Sequence, residues 1–367
     1  MRIRAARVFT GEQMLADAVV VVAGEHIVSV DAAGDGGVVD LDLGQVTLAP
    51  GLVDTHNHGG GGVAFTEDPL VAARLHRSYG TTTMIASTVT QSLADLRAQI
   101  EMLAGFVESG ELAGIHLEGP WLAPEYKGAH PVERLRDPLP GEVAGILDAG
   151  RGAVRMVTIA AERPGAMESI GLMASRGVMP ALGHTNCDYE QAIKAIGAGV
   201  RGATHLFNAM PGLHHRRPGP VLALLNDDRV WCELIVDGVH LRPELAGWVM
   251  GAKQRVVLVT DAMAAAGCDD GSYVLGDLPV EVVDGIAHIA GTNTIAGSTL
   301  TLSRAVQVAI GAKVSPEVAL RAATANPADY LGLEGVGRLL PGHWADLVVF
   351  DADWNVNRVM YRGSFLP

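Results

Sequence analysis

Eight short apolar runs recur through the middle of this chain, and the stretches between them have a different period. The runs are LAPGLVDTH (48–56), TTTMIAST (81–88), AGIHLEGP (113–120), VRMVTIA (154–160), VMPALGHT (178–185), RGATHLFN (201–208), VWCELIVDG (230–238) and RVVLVTDAM (255–263). Each reads as a strand. Intervening segments such as PLVAARLHRSYG, LADLRAQIEMLAGFVESG and CDYEQAIKAIGAG place apolar residues at i, i+3 and i+4, then stop at Gly. Eight strands alternating with helices predict an α/β architecture, a (β/α)8 TIM-like barrel.

The two ends break this pattern. RIRAARVF, AVVVVAG and HIVSVDAAG at the start, and ADLVVFD and WNVNRVMYRG at the finish, are β-branched runs without a helical period. Neither end is long enough for its own core. They are expected to pair into one small β-sandwich domain, residues 1–50 with 337–367, beside a barrel spanning 51–336. Within the barrel, LPVEVVDGIAHIAG (278–291) predicts a hairpin turning at Asp284-Gly285, inserted after the last strand.

Composition narrows the function. Half of the 367 residues (49%) are hydrophobic and 19% are charged, enough to bury a large core. With 27 Lys+Arg against 41 Asp+Glu the formal net charge is −14, a field that repels phosphate, so neither nucleic acid nor an anionic membrane is an expected partner. No apolar run approaches the ~20 residues of a membrane span, and no apolar segment follows the basic N-terminus as a secretory signal would require. Three cysteines do not make a disulfide framework. A cytoplasmic enzyme is the expectation.

Polar residues punctuate the strand ends. His56 and His58 lie two apart at the end of the first strand, where the period of 2 points both side chains the same way. Glu118 ends the third strand, His184 the fifth, His205 the sixth and Asp261 the eighth. The C-terminal strand ends form the face on which barrel enzymes build their sites. Imidazoles and carboxylates around an open position suit a catalytic divalent metal, whose charge also offsets the cost of a carboxylate in the barrel mouth. A single strand-end histidine is ordinarily structural, and Glu118 or Asp261 alone could cap a helix. The weight comes from six candidates converging on one rim. His26, His76, His288 and His343 fall in terminal strands, helix or hairpin and are read as structural. His116, two residues before Glu118, is read as lying behind the ligands.

PGLVDTHNHG (50–59) and GRLLPGHWADLVVFD (337–351) resemble the amidohydrolase superfamily of metal-dependent barrel hydrolases. HLEGPWLAPEYKGAH (116–130), LGHTNCDYEQA (182–192), THLFNAM (204–210), HRRPG (215–219), VDGVH (236–240) and VTDAM (259–263) are similar to N-acetylglucosamine-6-phosphate deacetylases, and the resemblance covers essentially the whole chain. It implies that Glu118, His184 and His205 bind the metal common to the family. His56 and His58 match the position of a second-metal pair that some members lack, so one or two ions per subunit are implied, with Glu118 bridging two. Nitrogen and oxygen ligands suit zinc, the first choice, as well as iron or another divalent ion. The fourth strand ends in Ile159-Ala160-Ala161-Glu162, which offers no lysine for the carboxylated-lysine bridge of the hydantoinase branch.

Amide hydrolysis needs an activated water, an electrophile on the carbonyl oxygen and a proton for the departing amine. Asp261 is placed to move that proton, or else only to bind metal. The resemblance implies that His240 polarises the carbonyl. It also matches Ala129, Asn208 and Ala209 to sugar- and phosphate-contacting positions, and Ile295, Ala296 and Gly297 to a loop over the sugar. In so acidic a chain HHRRPG is the densest basic cluster, and a guanidinium suits bidentate phosphate binding. The resemblance implies a homodimer in which Arg216 reaches the neighbouring active site, although Arg217 beside it leaves open which guanidinium does so. The implied reaction is hydrolysis of N-acetyl-D-glucosamine 6-phosphate to D-glucosamine 6-phosphate and acetate, in amino sugar catabolism. Two rivals remain: the galactosamine epimer or another N-acetyl amino sugar phosphate as substrate, since one hydroxyl is decided by a contact or two, and a metal-free scaffold on the same fold, which predicts eroded ligands.

Overall fold

The computed structural model describes residues 1–32 and 38–367. The last two residues of the HIVSVDAAG run, Ala33 and Gly34, lie outside the described residues.

All eight expected barrel strands form: β1 (Leu52–Asp54), β2 (Thr81–Thr88), β3 (Gly114–Glu118), β4 (Val154–Ile159), β5 (Met179–Leu182), β6 (Gly202–Ala203), β7 (Trp231–Ile235) and β8 (Val256–Val259). They lie side by side in chain order, each parallel to the next. Helices α1 (Pro69–Ser78), α2 (Leu93–Glu108), α3 (Pro140–Ala149), α4 (Ala166–Ser175), α5 (Tyr189–Ala198), α6 (Gly219–Asn226), α7 (Pro243–Ala252) and α8 (Leu302–Gly311) follow the strands in turn. The CDYEQAIKAIGAG segment shows why: Asp188 accepts from the Gln191 backbone while Gln191 reaches back, and Gly199 ends the helix. Closure between β8 and β1 lies beyond the regular ladder. Asp261 N donates to His56 O (2.9 Å), His58 N to Ala262 O (2.8 Å), and Thr260 Oγ1 to the buried Asp54 Oδ2 (2.6 Å). Burial pushes the Asp54 carboxyl up to about 6 although the Thr260 hydroxyl, Thr260 N and His56 N all donate to it.

Two runs end sooner than their sequence suggests. LAPGLVDTH divides at Gly51: Thr47–Pro50 pairs with the terminal sheet and Leu52–Asp54 with the barrel. A Cβ at Gly51 would sit 2.1 Å from Thr82 Oγ1, so only glycine passes there. RGATHLFN is extended only over Gly202–Ala203, because His205, Phe207 and Ala209 take positive φ (29°, 79° and 51°).

Both termini build one sheet, as expected. Its order is Ser364–Phe365, Val356–Tyr361, Leu347–Phe350, Thr47–Pro50, Arg2–Phe9, Met14–Ala23, His26–Ala32, with Leu41–Asp42 also paired to Arg2–Phe9. The ladder is continuous, and the sheet bends back on itself. Ile27 N donates to His343 O and Gly342 N to Ile27 O, joining the far edge to the segment before Leu347–Phe350. Ile3, Val8, Val20, Leu48, Leu347 and Met360 fill the space enclosed.

The insertion after β8 is larger than a hairpin: Gly271–Leu275, Leu278–Val283 and Ile286–Ile289 form three antiparallel strands. Asp284 and Gly285 both take positive φ, as a two-residue hairpin turn requires. Leu275, Val280, Val282 and Ala287 pack with Met263 and Ala265 into a small core beside the barrel mouth.

Candidate metal centre

The six strand-end candidates converge in the barrel mouth, His56, His58 and Asp261 from the closing seam and Glu118, His184 and His205 from the third, fifth and sixth strands. Among the described residues two groups of ligand atoms lie within metal-holding reach, His56, His58, Glu118 and Asp261, and Glu118, His184 and His205. Glu118 belongs to both. Its Oε1 stands 3.2 Å from His184 Nε2 and 3.0 Å from His205 Nε2, while Oε2 stands 3.1 Å from His58 Nε2. Asp261 Oδ1 is 3.1 Å from His58 Nε2 and 3.4 Å from His56 Nε2. His184, His205 and Asp261 take positive φ (46°, 29° and 48°), backbone strain held at the points where ligands turn inward.

Electrostatics within this cluster are extreme. Burial pushes the Glu118 carboxyl up, but His56 and the imidazoles of His130, His184 and His205 override it and hold it well below the usual range. Asp261 behaves alike: burial raises it, and His56 and His58 bring it well below an ordinary carboxylate.

The hydrogen-bond pattern tests whether these residues suit a cation. His184 Nδ1 lies 2.8 Å from Tyr126 O, and a carbonyl only accepts, so Nδ1 carries the proton. In the neutral ring, Nε2 is then a lone pair aimed at the Glu118 oxygen and at His205 Nε2, 3.1 Å away. His56 repeats the arrangement, with Nδ1 3.2 Å from Glu233 Oε2 and Nε2 3.2 Å from His58 Nε2. Acceptors facing acceptors in a buried site repel unless a cation or protons lie among them. The carboxylates beside His56 and His58 outweigh burial and raise both rings' pKa, so protons take that place when no metal does. The donor set fits divalent metal.

Above the cluster opens a cavity of about 330 Å3. His240, Ala129, Asn208, Ala209, Ile295 and Gly297 line it with His58, Glu118, His184, His205 and Asp261. Gly297, at φ +62°, is held against the Asp261 carbonyl, which a Cβ would approach to 3.1 Å. Ala296 is elsewhere: fully buried, it packs into the core of the insertion behind the wall. Arg216 is also outside the cavity, in the fully exposed stretch 212–217. His116 lies behind the ligands as expected, edge-on to His56 with ring centroids 4.5 Å apart and bonded to Ser87 and Thr158. Glu162 holds the loop carrying His184 by accepting from the Thr185 hydroxyl and from Asn186 N.

Three site residues escaped the sequence reading. His130 lines the cavity with Nε2 3.6 Å from Glu118 Oε2. It closes the 116–130 block, and that block was the available signal. Asp237 accepts from His240 Nδ1 at 2.6 Å; its signal was the i, i+3 spacing in VDGVH. Glu233, beneath His56, is the one charge inside the apolar run VWCELIV.

Residues 47–366 match the model of the amidohydrolase family. The chain belongs to that family. Among curated amidohydrolase relatives, the N-acetylglucosamine-6-phosphate deacetylase of Vibrio furnissii is 35% identical, over 99% of this chain and 94% of its own. The N-acetylgalactosamine-6-phosphate deacetylase of Escherichia coli O157:H7 is 37% identical, over 86% of this chain and 87% of its own. A solved variant of N-acetyl-D-glucosamine-6-phosphate deacetylase from Mycobacterium smegmatis, in complex with N-acetyl-D-glucosamine-6-phosphate, superposes with a TM-score of 0.97 at 44% identity, covering 100% of this chain and 98% of that one.

Proposed function

We propose that this protein hydrolyses the acetamide of N-acetyl-D-glucosamine 6-phosphate, giving D-glucosamine 6-phosphate and acetate. The observation that carries the reading is Glu118, whose two oxygens face two imidazole groups at the floor of the cavity. Glu118, His184 and His205 would hold one divalent metal, zinc in our reading, and His56, His58, Glu118 and Asp261 a second. Bound there, the metal supplies Lewis acidity to the amide carbonyl and lowers the pKa of water.

The chain's own residues do the rest. The Asp261 carboxylate accepts a proton from water as the water oxygen adds to the carbonyl carbon. It returns a proton to the sugar nitrogen as the C–N bond breaks, and acetate leaves with the new oxygen. His240 is oriented by Asp237, which accepts from Nδ1 and raises the ring's pKa; protonated on both nitrogens, the ring donates from Nε2 to the carbonyl oxygen. Ala129, Asn208, Ala209, Ile295 and Gly297 shape the wall against the sugar, with Ala296 behind it. Arg216 serves the phosphate in the neighbouring subunit of a homodimer. In this reading residues 1–50 and 337–367 form the small domain and 51–336 the catalytic barrel, in a cytoplasmic enzyme. Among the described residues no helix is long and apolar enough to cross a membrane.

The similarity to the Escherichia coli enzyme favours a second reading, with the galactosamine epimer as substrate. Acetate release from both epimers, with and without the 6-phosphate, decides between them, with metal content measured on the same sample. The expected result is faster release from the glucosamine epimer, dependent on the phosphate. No acetate from either phosphorylated sugar with metal-replete protein would overturn the proposal.

A further inference from the structure

We infer that Glu233 is a positioning residue that commits His56 to binding the second metal. The inference rests on the two-metal reading above and deepens it. Glu233 lies in the middle of β7, fully buried, between Cys232 and Leu234, which are buried as well. It is too far down the strand to be part of the cavity wall. Its Oε2 meets His56 Nδ1 at 3.2 Å and accepts a long contact from His205 N at 3.4 Å. Among the described residues Oε1 has no hydrogen-bond partner.

A carboxylate placed for its own stability would not be left in this state. Burying it with one imidazole donor and an unmatched oxygen is costly unless a positive charge is close. The buried Tyr330 hydroxyl also stands beside it, its pKa raised by burial and by the Glu233 charge, but the imidazole Glu233 holds is His56, and what it fixes there is the tautomer. A carboxylate accepts, so Nδ1 donates, and Nε2 is turned as a lone pair toward His58, Glu118 and Asp261. A metal–histidine–carboxylate line is the arrangement that orients an imidazole and raises its basicity toward an ion. His184 is held by a neutral carbonyl, Tyr126 O, and among the described residues neither His58 Nδ1 nor His205 Nδ1 has a hydrogen-bond partner. Among these four histidines, therefore, only His56 has a carboxylate behind it. Glu233 touches one ligand of each group, the side chain of His56 and the backbone of His205, so it braces both groups yet acts on the ligand atom of only one.

The test counts zinc. Wild-type protein, Glu233→Gln and the double variant His56→Gln/His58→Asn are each equilibrated with zinc against a competing chelator, and equivalents and affinities are measured. We expect two equivalents in the wild type. In Glu233→Gln one should be kept at wild-type affinity and the other weakened about 10- to 100-fold, because an amide accommodates either tautomer. Adding Glu233→Gln to the double variant should change nothing further, since the ligand it acts through is gone. A merely structural role would weaken both sites together or neither, and either result overturns the inference. A single equivalent in the wild type would overturn the two-metal reading and this inference with it. Two equal sites in Glu233→Gln would overturn the inference alone. Should Glu233→Gln fail to fold, 15N-imidazole NMR of the wild-type holoprotein decides. A proton on His56 Nδ1 is expected, and its absence overturns the inference.

Discussion

Asp237 decides what His240 can do. Burial alone would lower the His240 pKa, but the 2.6 Å hydrogen bond and charge of Asp237, with Asp261 beyond, raise it above the ordinary value. A raised pKa keeps the ring protonated, and able to donate to a carbonyl oxygen, to higher pH; that ability is lost as pH rises through the raised value. Asp237→Asn removes the charge that raises it, so the alkaline limb of the kcat/KM profile should move to lower pH. An unmoved limb would mean that another group sets it. Asp261 makes a separate prediction. Asp261→Asn should cut kcat about 10^2- to 10^4-fold with KM little changed, and a loss of tenfold or less would leave it a ligand only. The ligands were legible because each follows an apolar run that fixes where its strand ends. Asp237 and Glu233 were harder to read for different reasons. The role of Asp237 depends on a turn that puts residues three apart face to face. Glu233 could have been flagged, since a lone charge in a buried strand needs a partner, but nothing in the sequence names His56 as that partner.

Elements explain which boundaries could be read. The run 201–208 looks like a full strand, yet β6 stops at Ala203 because three non-glycine residues beyond it adopt positive φ. Positive φ at non-glycine residues such as His205 and Phe207 runs against their ordinary preference, so no local residue signal announces it. Turn chemistry did announce the hairpin, because Asp-Gly is the pair that such a turn favours. The basic loop gives this scale its prediction. Residues 212–217 are exposed, and Arg216 lies outside the cavity of its own chain. Arg216→Ala should therefore weaken binding of the 6-phosphate substrate by about 1.5–3 kcal/mol, the scale of a lost charge-assisted pair, and leave the unphosphorylated sugar unaffected. If the protein is the proposed homodimer with Arg216 acting across it, mixing Arg216→Ala with Asp261→Asn under subunit exchange should restore activity, since each mixed dimer would have one site with an intact Asp261 and a neighbour's Arg216. No recovery despite verified exchange would show that Arg216 acts within its own chain or not at all.

For the whole molecule the weak place is the barrel seam. β1 and β8 are joined by a few hydrogen bonds at their upper ends, and His56, His58 and Asp261 lie on them. Sequence patterning gives the alternation that makes the barrel, because burial period is local. It could not give the order of the terminal sheet, in which Leu347–Phe350 lies beside Thr47–Pro50, because that pairing joins strands about three hundred residues apart and no local period records it. Nor could it show that the metal ligands themselves span the seam. This placement has a consequence for stability. With acceptors from both sides of the seam facing each other, a cation held there would offset their repulsion and add side-chain links to the few backbone hydrogen bonds that join the two sides. Removing it leaves lone pairs opposed, or forces them to take up protons. An ion present at about a thousand times its Kd stabilises the folded chain by about 4 kcal/mol. Chelation should therefore lower Tm by several degrees, and added zinc should restore it with release of protons near neutral pH. The same treatment of Glu118→Ala, which loses the carboxylate common to both groups, should produce little further shift. Calorimetry with elemental analysis of each sample checks this. A wild-type Tm that does not move once the metal is verifiably gone would mean that the seam holds without it.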